Sequence, residues 1–295
     1  MIKNNEPELT IIIPCYNEEL SLPHFLPEVI NFCQKYKWPI ICVNDGSKDS
    51  TQEVLNTYGS KIKVVNNKVN KGYGGAIKQG ILKSETVYSI TIDADGQHFL
   101  EDIEKLYICC IENDADMIIG SRQGQKSATW FRNLGKSFIR LVAKMLMPLK
   151  IYDINSGMKL FRTDLAKKYL SFLPDTMAFS DTISLVFINQ RHRVLEEPIN
   201  IRDRIAGVST IGIHTAFITI AELLNIVTLF NPMKVFIPIA TFLFSIGFFW
   251  GIWILAQGKG LSIGASFLMI MGVLIFLLGL ISEQITRIRR HLIDK

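Results

Sequence analysis

Charge is almost missing from one part of this 295-residue sequence: between Val235 and Ile281 the only charged residue is Lys259. Val235–Ala256 supplies 22 uncharged residues and Leu261–Ile281 another 21. Each run is long enough to cross a hydrocarbon core of about 30 Å. A buried core helix passes the same test, but two such runs in succession are rarely globular. Other features are also scarce. The net charge is only +5, too weak to argue for a nucleic-acid partner and equally suited to an anionic lipid surface. The five cysteines (Cys15, Cys33, Cys42, Cys109, Cys110) are odd in number and never spaced CxxC, which excludes the usual zinc and redox motifs. They read as buried, reduced thiols. The first residues lack the basic flank and apolar core of a signal peptide, so the polar part of the chain is expected on the cytoplasmic side. No internal repeat or low-complexity linker breaks the sequence.

Residues 1–210 mix charge and hydrophobicity as a globular α/β protein does. Short β-branched runs alternate with helical segments. Strands are expected at Leu9–Pro14, Ile40–Val43, Lys63–Asn66, Val87–Ile92 and Asp116–Gly120, and helices at about 20–36 and Gly74–Leu82. This alternation predicts a mostly parallel sheet with helices on both faces. In such sheets ligands bind beyond the carboxyl ends of the strands. Each of these strands but the third leads into a polar cluster: Tyr16-Asn17-Glu18, Asp45-Gly46-Ser47, Asp93-Ala94-Asp95 and Ser121-Arg122. Their convergence on one edge is the expected site.

Within it, Asp93-Ala94-Asp95 carries the central signal. Two carboxylates one residue apart at a strand end can hold Mg2+ or Mn2+ together with diphosphate oxygens, and Gln97 or His98 can complete the shell. A lone DxD is common in acidic turns, so its place after an apolar strand matters. For His98 a structural hydrogen bond is an equal alternative to ligation. Asp45 can accept hydrogen bonds from a nucleobase or ribose, whereas Asp49 or Ser50 reads as a helix N-cap. Asn70–Ala76 (NKGYGGA) is glycine-rich and opens a helix, a setting that allows close backbone approach and favours anions. It lacks the Gly-Lys-Ser/Thr of a Walker A loop.

The order of PCYNEE at 14–19, Asn44–Thr51, Asn70–Gly80, Asp93–His98, Gly120-Ser121-Arg122 and DINSGMK at 153–159 resembles the family 2 glycosyltransferases of GT-A fold. The nearest subgroup is the polyprenyl-phosphate sugar transferases, many of whose bacterial members carry a C-terminal pair of membrane helices. The resemblance spans about residues 9–210. It implies an α/β, doubly wound, mostly parallel sheet followed by a two-helix transmembrane hairpin. It also implies that Pro14, Tyr16, Glu18, Asp45, Lys71, Asp93, Ala94 and Arg204 serve the nucleotide, and that Asp93, Asp95 and Gln97 hold the metal. Arg122, Arg132 and Ser156 would meet the acceptor phosphate. Asp153, Asp181 and Arg122 would stand at the reacting centre, with either aspartate a base candidate; for Asp181 a structural hydrogen bond is an equal alternative. The sequence departs from the pattern at Met158, where many relatives have an aromatic residue.

The expected partners are a nucleotide-sugar (UDP-sugar favoured, GDP-mannose the alternative), a polyprenyl phosphate and the bilayer. The expected reaction is an inverting displacement by the lipid phosphate. Two rivals are a transferase that elongates a glycan or lipid-linked saccharide, and an inactive membrane-tethered binding protein. Asp45, Asp93, Asp95 and both arginines argue against inactivity.

The expected division is a cytoplasmic domain over 1–210, an interfacial helix over 211–232, two transmembrane helices over 233–286 and a basic tail over 287–295. The link Gln257–Gly260 is short, so the helices form a hairpin. Arg287, Arg289 and Arg290 place the tail in the cytoplasm. Apolar residues at helical spacing from Trp130 to Met145, beside Arg132, Lys136, Arg140 and Lys144, fit a basic interfacial helix or an ordinary surface helix packed on the sheet. Gly247, Gly251 and Gly264 offer a surface on which the hairpin can pack against copies of itself, so a homo-oligomer is an open expectation.

Overall fold

In the computed structural model the described residues are 8–122, 151–202, 228 and 231–293. They fall into two compact units, one holding residues 8–122 and 151–202 and the other holding 231–293.

The first unit is built on a seven-stranded sheet in the order β3-β2-β1-β4-β6-β5-β7. Its strands are β1 (Leu9–Cys15), β2 (Ile40–Asn44), β3 (Lys63–Asn66), β4 (Tyr88–Thr91), β5 (Met117–Ser121), β6 (Lys159–Arg162) and β7 (Val194–Pro198). The first five match the runs expected from sequence to within a residue or two. Pairings β1–β2, β1–β4, β2–β3 and β5–β7 are parallel, whereas β6 runs antiparallel between β4 and β5. The sheet is therefore mixed, although mostly parallel.

Helices α1 (Leu22–Gln34), α2 (Thr51–Asn56), α3 (Tyr73–Lys83), α4 (Leu100–Glu112), α5 (Thr163–Tyr169) and α6 (Phe179–Asn189) complete this unit. The strands alternate their side chains between two faces. Ile11, Ile13, Ile40 and Cys42 join Phe25 and Leu26 of α1 and Ile103 and Leu106 of α4 in one core. Ile41 and Val43 face the other way and pack with Ala76 of α3. On that face Gly80 lets α3 approach closely, because a Cβ there would lie 2.4 Å from Ile12. Helices thus cover both faces, and both cores are closed. All five cysteines are free thiols; four are buried and Cys109 is partly so.

The second unit contains α7 (Met233–Ala256) and α8 (Ile263–Ile293). Both are long and apolar enough to cross a membrane, with mean hydropathy 2.1 and 2.5 over the spans 233–256 and 263–288. Phe242, Phe249, Trp253 and Phe267 stay exposed, as side chains facing lipid would. The glycines face inward. A Cβ on Gly247 would meet the Ala265 carbonyl at 2.8 Å, and one on Gly272 the Ala240 carbonyl at 2.8 Å. Gly264 lies against Trp250, and Gly251 faces the Ala265 methyl. The three glycines expected to meet a second copy therefore serve contact between the two helices of one hairpin. Helix α8 continues in helical form beyond the apolar span, as far as Ile293.

Candidate active site

Four strand ends meet at one edge of the sheet. The loops after β1 and β2 are laced together. Asn17, in a left-handed backbone conformation (φ 55°), donates its N–H to Ser47 Oγ at 3.1 Å, and its side-chain oxygen accepts from Lys48 N–H at 2.9 Å. Glu18 N–H donates to Thr51 Oγ1 at 2.8 Å, and the Glu18 carboxylate accepts from the Ser21 hydroxyl. Tyr16 is left exposed and Pro14 half-buried at the mouth. Asp49 accepts from Thr51 N–H and Glu19 N–H. Burial pushes its carboxyl up, but these bonds and the Thr51 hydroxyl outweigh that and hold it below the usual range.

Asp45, expected at the nucleotide, also ties the glycine-rich loop to the end of β2. Its side chain is buried and accepts from Asn67 Nδ2 at 2.7 Å, Lys71 N–H at 3.0 Å and Gly72 N–H at 2.8 Å. It fixes the glycine-rich loop, and Lys71 enters the site's frame through its backbone. The glycines there make room for the chain's own segment 174–176. At Gly72 (φ 87°) a Cβ would lie 2.6 Å from the Asp175 carbonyl, and at Gly74 2.3 Å from the Pro174 carbonyl. Gly74 and Gly75 donate their N–H groups to the carbonyls of Thr176 and Asp175 at 3.2 and 3.1 Å. Two first-turn donors of α3, read from sequence as an anion seat, are thus already paired.

Asp93 and Asp95 follow β4, with Ala94 buried between them. Asp93 Oδ1 accepts from the Tyr73 hydroxyl at 3.0 Å, and Oδ2 lies 3.6 Å from His98 Nε2. Burial pushes the Asp93 carboxyl up, but the His98 ring, the Tyr73 hydroxyl and the Arg122 charge prevail and hold it below the usual range. Burial and the neighbouring Asp93 push the Tyr73 phenol well up, so it stays a donor. Asp95 Oδ1 accepts from Gln97 N–H at 3.1 Å, and Gln97 Nε2 reaches the Arg202 carbonyl at 3.4 Å. His98 is buried, and its Nδ1 finds no partner among the described residues.

Among the described residues no group of three or more His, Cys, Asp or Glu could hold a metal ion. The donor set of Asp93 and Asp95 is nonetheless of the right kind. Mg2+ commonly takes one or two carboxylates and fills its remaining positions with substrate phosphate and water.

The opposite wall comes from residues 151–159 and the end of β5. Arg122 and Asp153 form a two-pronged ion pair: Nε to Oδ2 at 2.6 Å and NH2 to Oδ1 at 2.8 Å. Arg122 also donates to Asn155 Oδ1 at 2.8 Å. The Asp153 hydrogen bond pushes the Arg122 guanidinium further up. Burial pushes the Asp153 carboxyl up, but Arg122 outweighs it and holds the group below the usual range. A carboxylate so paired is a poor proton acceptor. Glu196 of β7 supports the turn by accepting from Tyr152 N–H at 2.7 Å and Asp153 N–H at 2.6 Å. Ser156 is fully buried. Beside it, Gly157 lies flush on the Asp93 carboxylate: a Cβ there would sit 2.4 Å from Oδ2. Met158 is also fully buried and belongs to the main core, so its departure from the family pattern concerns packing.

Lys159 was not singled out by the sequence. It opens β6, is only 1% exposed, and donates from Nζ to the Ser156 carbonyl. Burial lowers its amine to about 8, against the pull of Asp181, Asp153 and Asp93. Asp181 enters from the first turn of α6. Tyr73 and Glu196 were missed as well. For Lys159 the available signal was a lysine immediately ahead of a Leu-Phe pair in a strand-length run. For Tyr73 it was an aromatic residue set among glycines. Arg132, with its basic segment 130–146, and Arg204 lie outside the described residues.

The sequence and the fold are similar to those of known proteins. The description "Glycosyl transferase family 2" matches residues 10–170, more than half of the chain, and the chain belongs to that family. Residues 231–288 match the "GtrB C-terminal hairpin". A dolichyl-phosphate beta-glucosyltransferase of Dictyostelium discoideum is 31% identical, covering 57% of this chain and 59% of that protein. The dolichyl-phosphate beta-glucosyltransferase of Homo sapiens is 30% identical, covering 63% and 64%. The chain thus spans about six-tenths of these relatives' length. In fold it is similar to glucosyl-3-phosphoglycerate synthase from Mycobacterium tuberculosis, solved with Mn2+, UDP and phosphoglyceric acid. That match has TM-score 0.58 and 14% identity, and covers 75% of this chain and 78% of that one. Staphylococcus aureus TarS 1-349 with UDP gives TM-score 0.54 and 18% identity, covering 76% and 66%. The mixed sheet is accordingly of the GT-A kind, and the chain joins a family 2 glycosyltransferase domain to a C-terminal hairpin of two apolar helices.

Proposed function

We propose that this protein transfers a sugar, with UDP-glucose the favoured donor, to the phosphate of a membrane polyprenyl lipid. One observation carries the reading. The Ser156–Gly157 turn brings the Arg122–Asp153 wall directly against Asp93, in a chain that also carries a membrane hairpin. Donor and lipid phosphate would then meet across one glycine. The names of the dolichyl-phosphate relatives support the lipid phosphate, and their beta-glucosyl products support glucose.

In this reading Asp93, Asp95 and Gln97 hold Mg2+ or Mn2+ with the donor diphosphate. The cation supplies neutralisation of the charge that grows on the leaving nucleoside diphosphate. Tyr16, Glu18 and Pro14 border the nucleotide, while Asp45 acts through the loop it fixes. Arg122 and Ser156 border the acceptor, joined by Arg132, and Arg204 approaches the diphosphate. A lipid phosphate is already ionised at neutral pH and attacks the anomeric carbon with inversion. It needs no strong base, which agrees with Asp153 being fully paired and leaves Asp181 the remaining aspartate candidate. Both termini and the catalytic unit lie on the cytoplasmic side, as the arginines after the second span favour.

Incubating the full chain with labelled UDP-glucose, other nucleotide-sugars and polyprenyl phosphate tests this. An organic-soluble product from UDP-glucose is expected. A polymeric product points to glycan elongation, and no product from any donor points to a binding protein.

A further inference from the structure

Tyr73 is the one residue of 72–75 that carries a side chain, and the proposed reaction gives it no part. Its backbone is pinned on both sides. Before it, Lys71 and Gly72 donate their N–H groups to the buried Asp45 carboxylate at 3.0 and 2.8 Å. After it, Gly74 and Gly75 donate theirs to the carbonyls of Thr176 and Asp175 at 3.2 and 3.1 Å. A shift of the loop would break these bonds. From this frame the Tyr73 hydroxyl reaches the turn after β4 and donates to Asp93 Oδ1 at 3.0 Å. The other oxygen, Oδ2, is bordered by the His98 ring at 3.6 Å and by Gly157, where a Cβ would lie only 2.4 Å away. The Asp93 carboxylate is thus oriented at both oxygens. Its side chain nevertheless keeps 35% of its surface exposed, which leaves an approach for a cation. Each carboxylate oxygen has two acceptor sites, so a phenol on Oδ1 does not use that oxygen up.

We infer that Tyr73 is a positioning residue for Asp93: its phenol holds the carboxylate in a metal-ready orientation and ties it to the loop that Asp45 anchors. The inference rests on the proposed metal-binding role of Asp93 and Asp95. A ligand whose rotation is settled in advance loses less freedom when the metal binds, and a hydrogen bond from outside the coordination shell is a common way to settle it.

Tyr73→Phe keeps the ring and removes only that bond. Mn2+ binding to the full chain with UDP, followed by electron paramagnetic resonance, reads the effect without turnover. Affinity should fall about tenfold, the lower end for losing a group that orients a metal ligand. Turnover at low Mn2+ should fall by a similar factor and return to within about threefold of wild type when Mn2+ is raised. The KM for polyprenyl phosphate at saturating Mn2+ should not move, and metal-free melting should stay cooperative. A loop contact with a purely structural role would not be rescued by metal. Unchanged Mn2+ affinity, or lost turnover that added Mn2+ does not restore, would overturn the inference. Loss of cooperative melting would assign the phenol to the fold and overturn it too. A wild-type chain that binds no Mn2+ with UDP would instead refute the metal reading, and this role with it.

Discussion

The two walls of the site hold their charges differently. On the donor side, Asp45 and Asp95 are tied by backbone N–H groups, and Asp93 by a phenol beside a histidine ring. The Arg122 charge on the facing wall also acts on Asp93. On the acceptor side, Asp153 is matched by Arg122, and Lys159 sits behind the turn. In the proposed reading the donor wall keeps a carboxylate pair suited to a divalent cation, whereas the acceptor wall pairs its carboxylate with Arg122 and can admit an anion. Gly157 is the seam between them.

The largest effect should come from breaking the donor field. Asp93→Asn is expected to lower kcat about a thousandfold, equivalent to about 4 kcal/mol of lost transition-state stabilisation, while leaving the circular dichroism spectrum unchanged. EDTA should act similarly on the wild type. Full turnover in EDTA would remove the metal from the account.

Next comes the seam. In Gly157→Ala the new methyl must displace the Asp93 carboxylate, since a Cβ falls 2.4 Å from Oδ2. Affinity for Mn2+ in the presence of UDP, followed by electron paramagnetic resonance, should fall about tenfold or more, as when a group orienting a metal ligand is changed. Unchanged affinity would mean that the two walls are independent.

Breaking the acceptor pair should show mainly in stability. The Asp153 pKa is depressed, so its pairing contributes fully above the ordinary carboxyl range near about 4 and is lost as pH falls through the lower folded value. Asp153→Asn should cost about 2 kcal/mol at neutral pH, a figure reduced because Arg122 is one-third exposed. The gap from wild type should narrow below pH 4, as read from melting curves across pH. A constant gap would place the effect outside the ion pair.

The smallest effect belongs to the core. Met158→Leu should change stability by less than about 1.5 kcal/mol and leave the choice of sugar unaltered. A switch in donor preference would return Met158 to the site.

The two walls also differ in how far the sequence revealed them. The donor wall follows local rules. Runs such as Leu9–Cys15 and Ile40–Asn44 are apolar on both faces, alternate with helices and end in polar clusters, so strands and site could be read together. The acceptor wall depends on distant partners. Strand β6 has four residues and starts and ends on Lys159 and Arg162, while β7 contains Glu196 and Glu197. Neither carries a clean period-two pattern, because their charged side chains find ion pairs or carbonyls only in the folded chain. Asp153 and Arg122 were singled out as candidate site residues, but their mutual pairing across 31 positions was not legible. The glycine-rich loop was legible as a close approach, and the chain's own 174–176 carbonyls lie against it.

The contrast between a cation-binding wall and an anion-admitting wall is tested most directly by offering the full chain labelled UDP-glucose with either a polyprenyl phosphate or the corresponding polyprenol. The account predicts an organic-soluble glucosyl lipid from the phosphate and none from the alcohol. Equal transfer to the alcohol, or no lipid product from the phosphate, would contradict it.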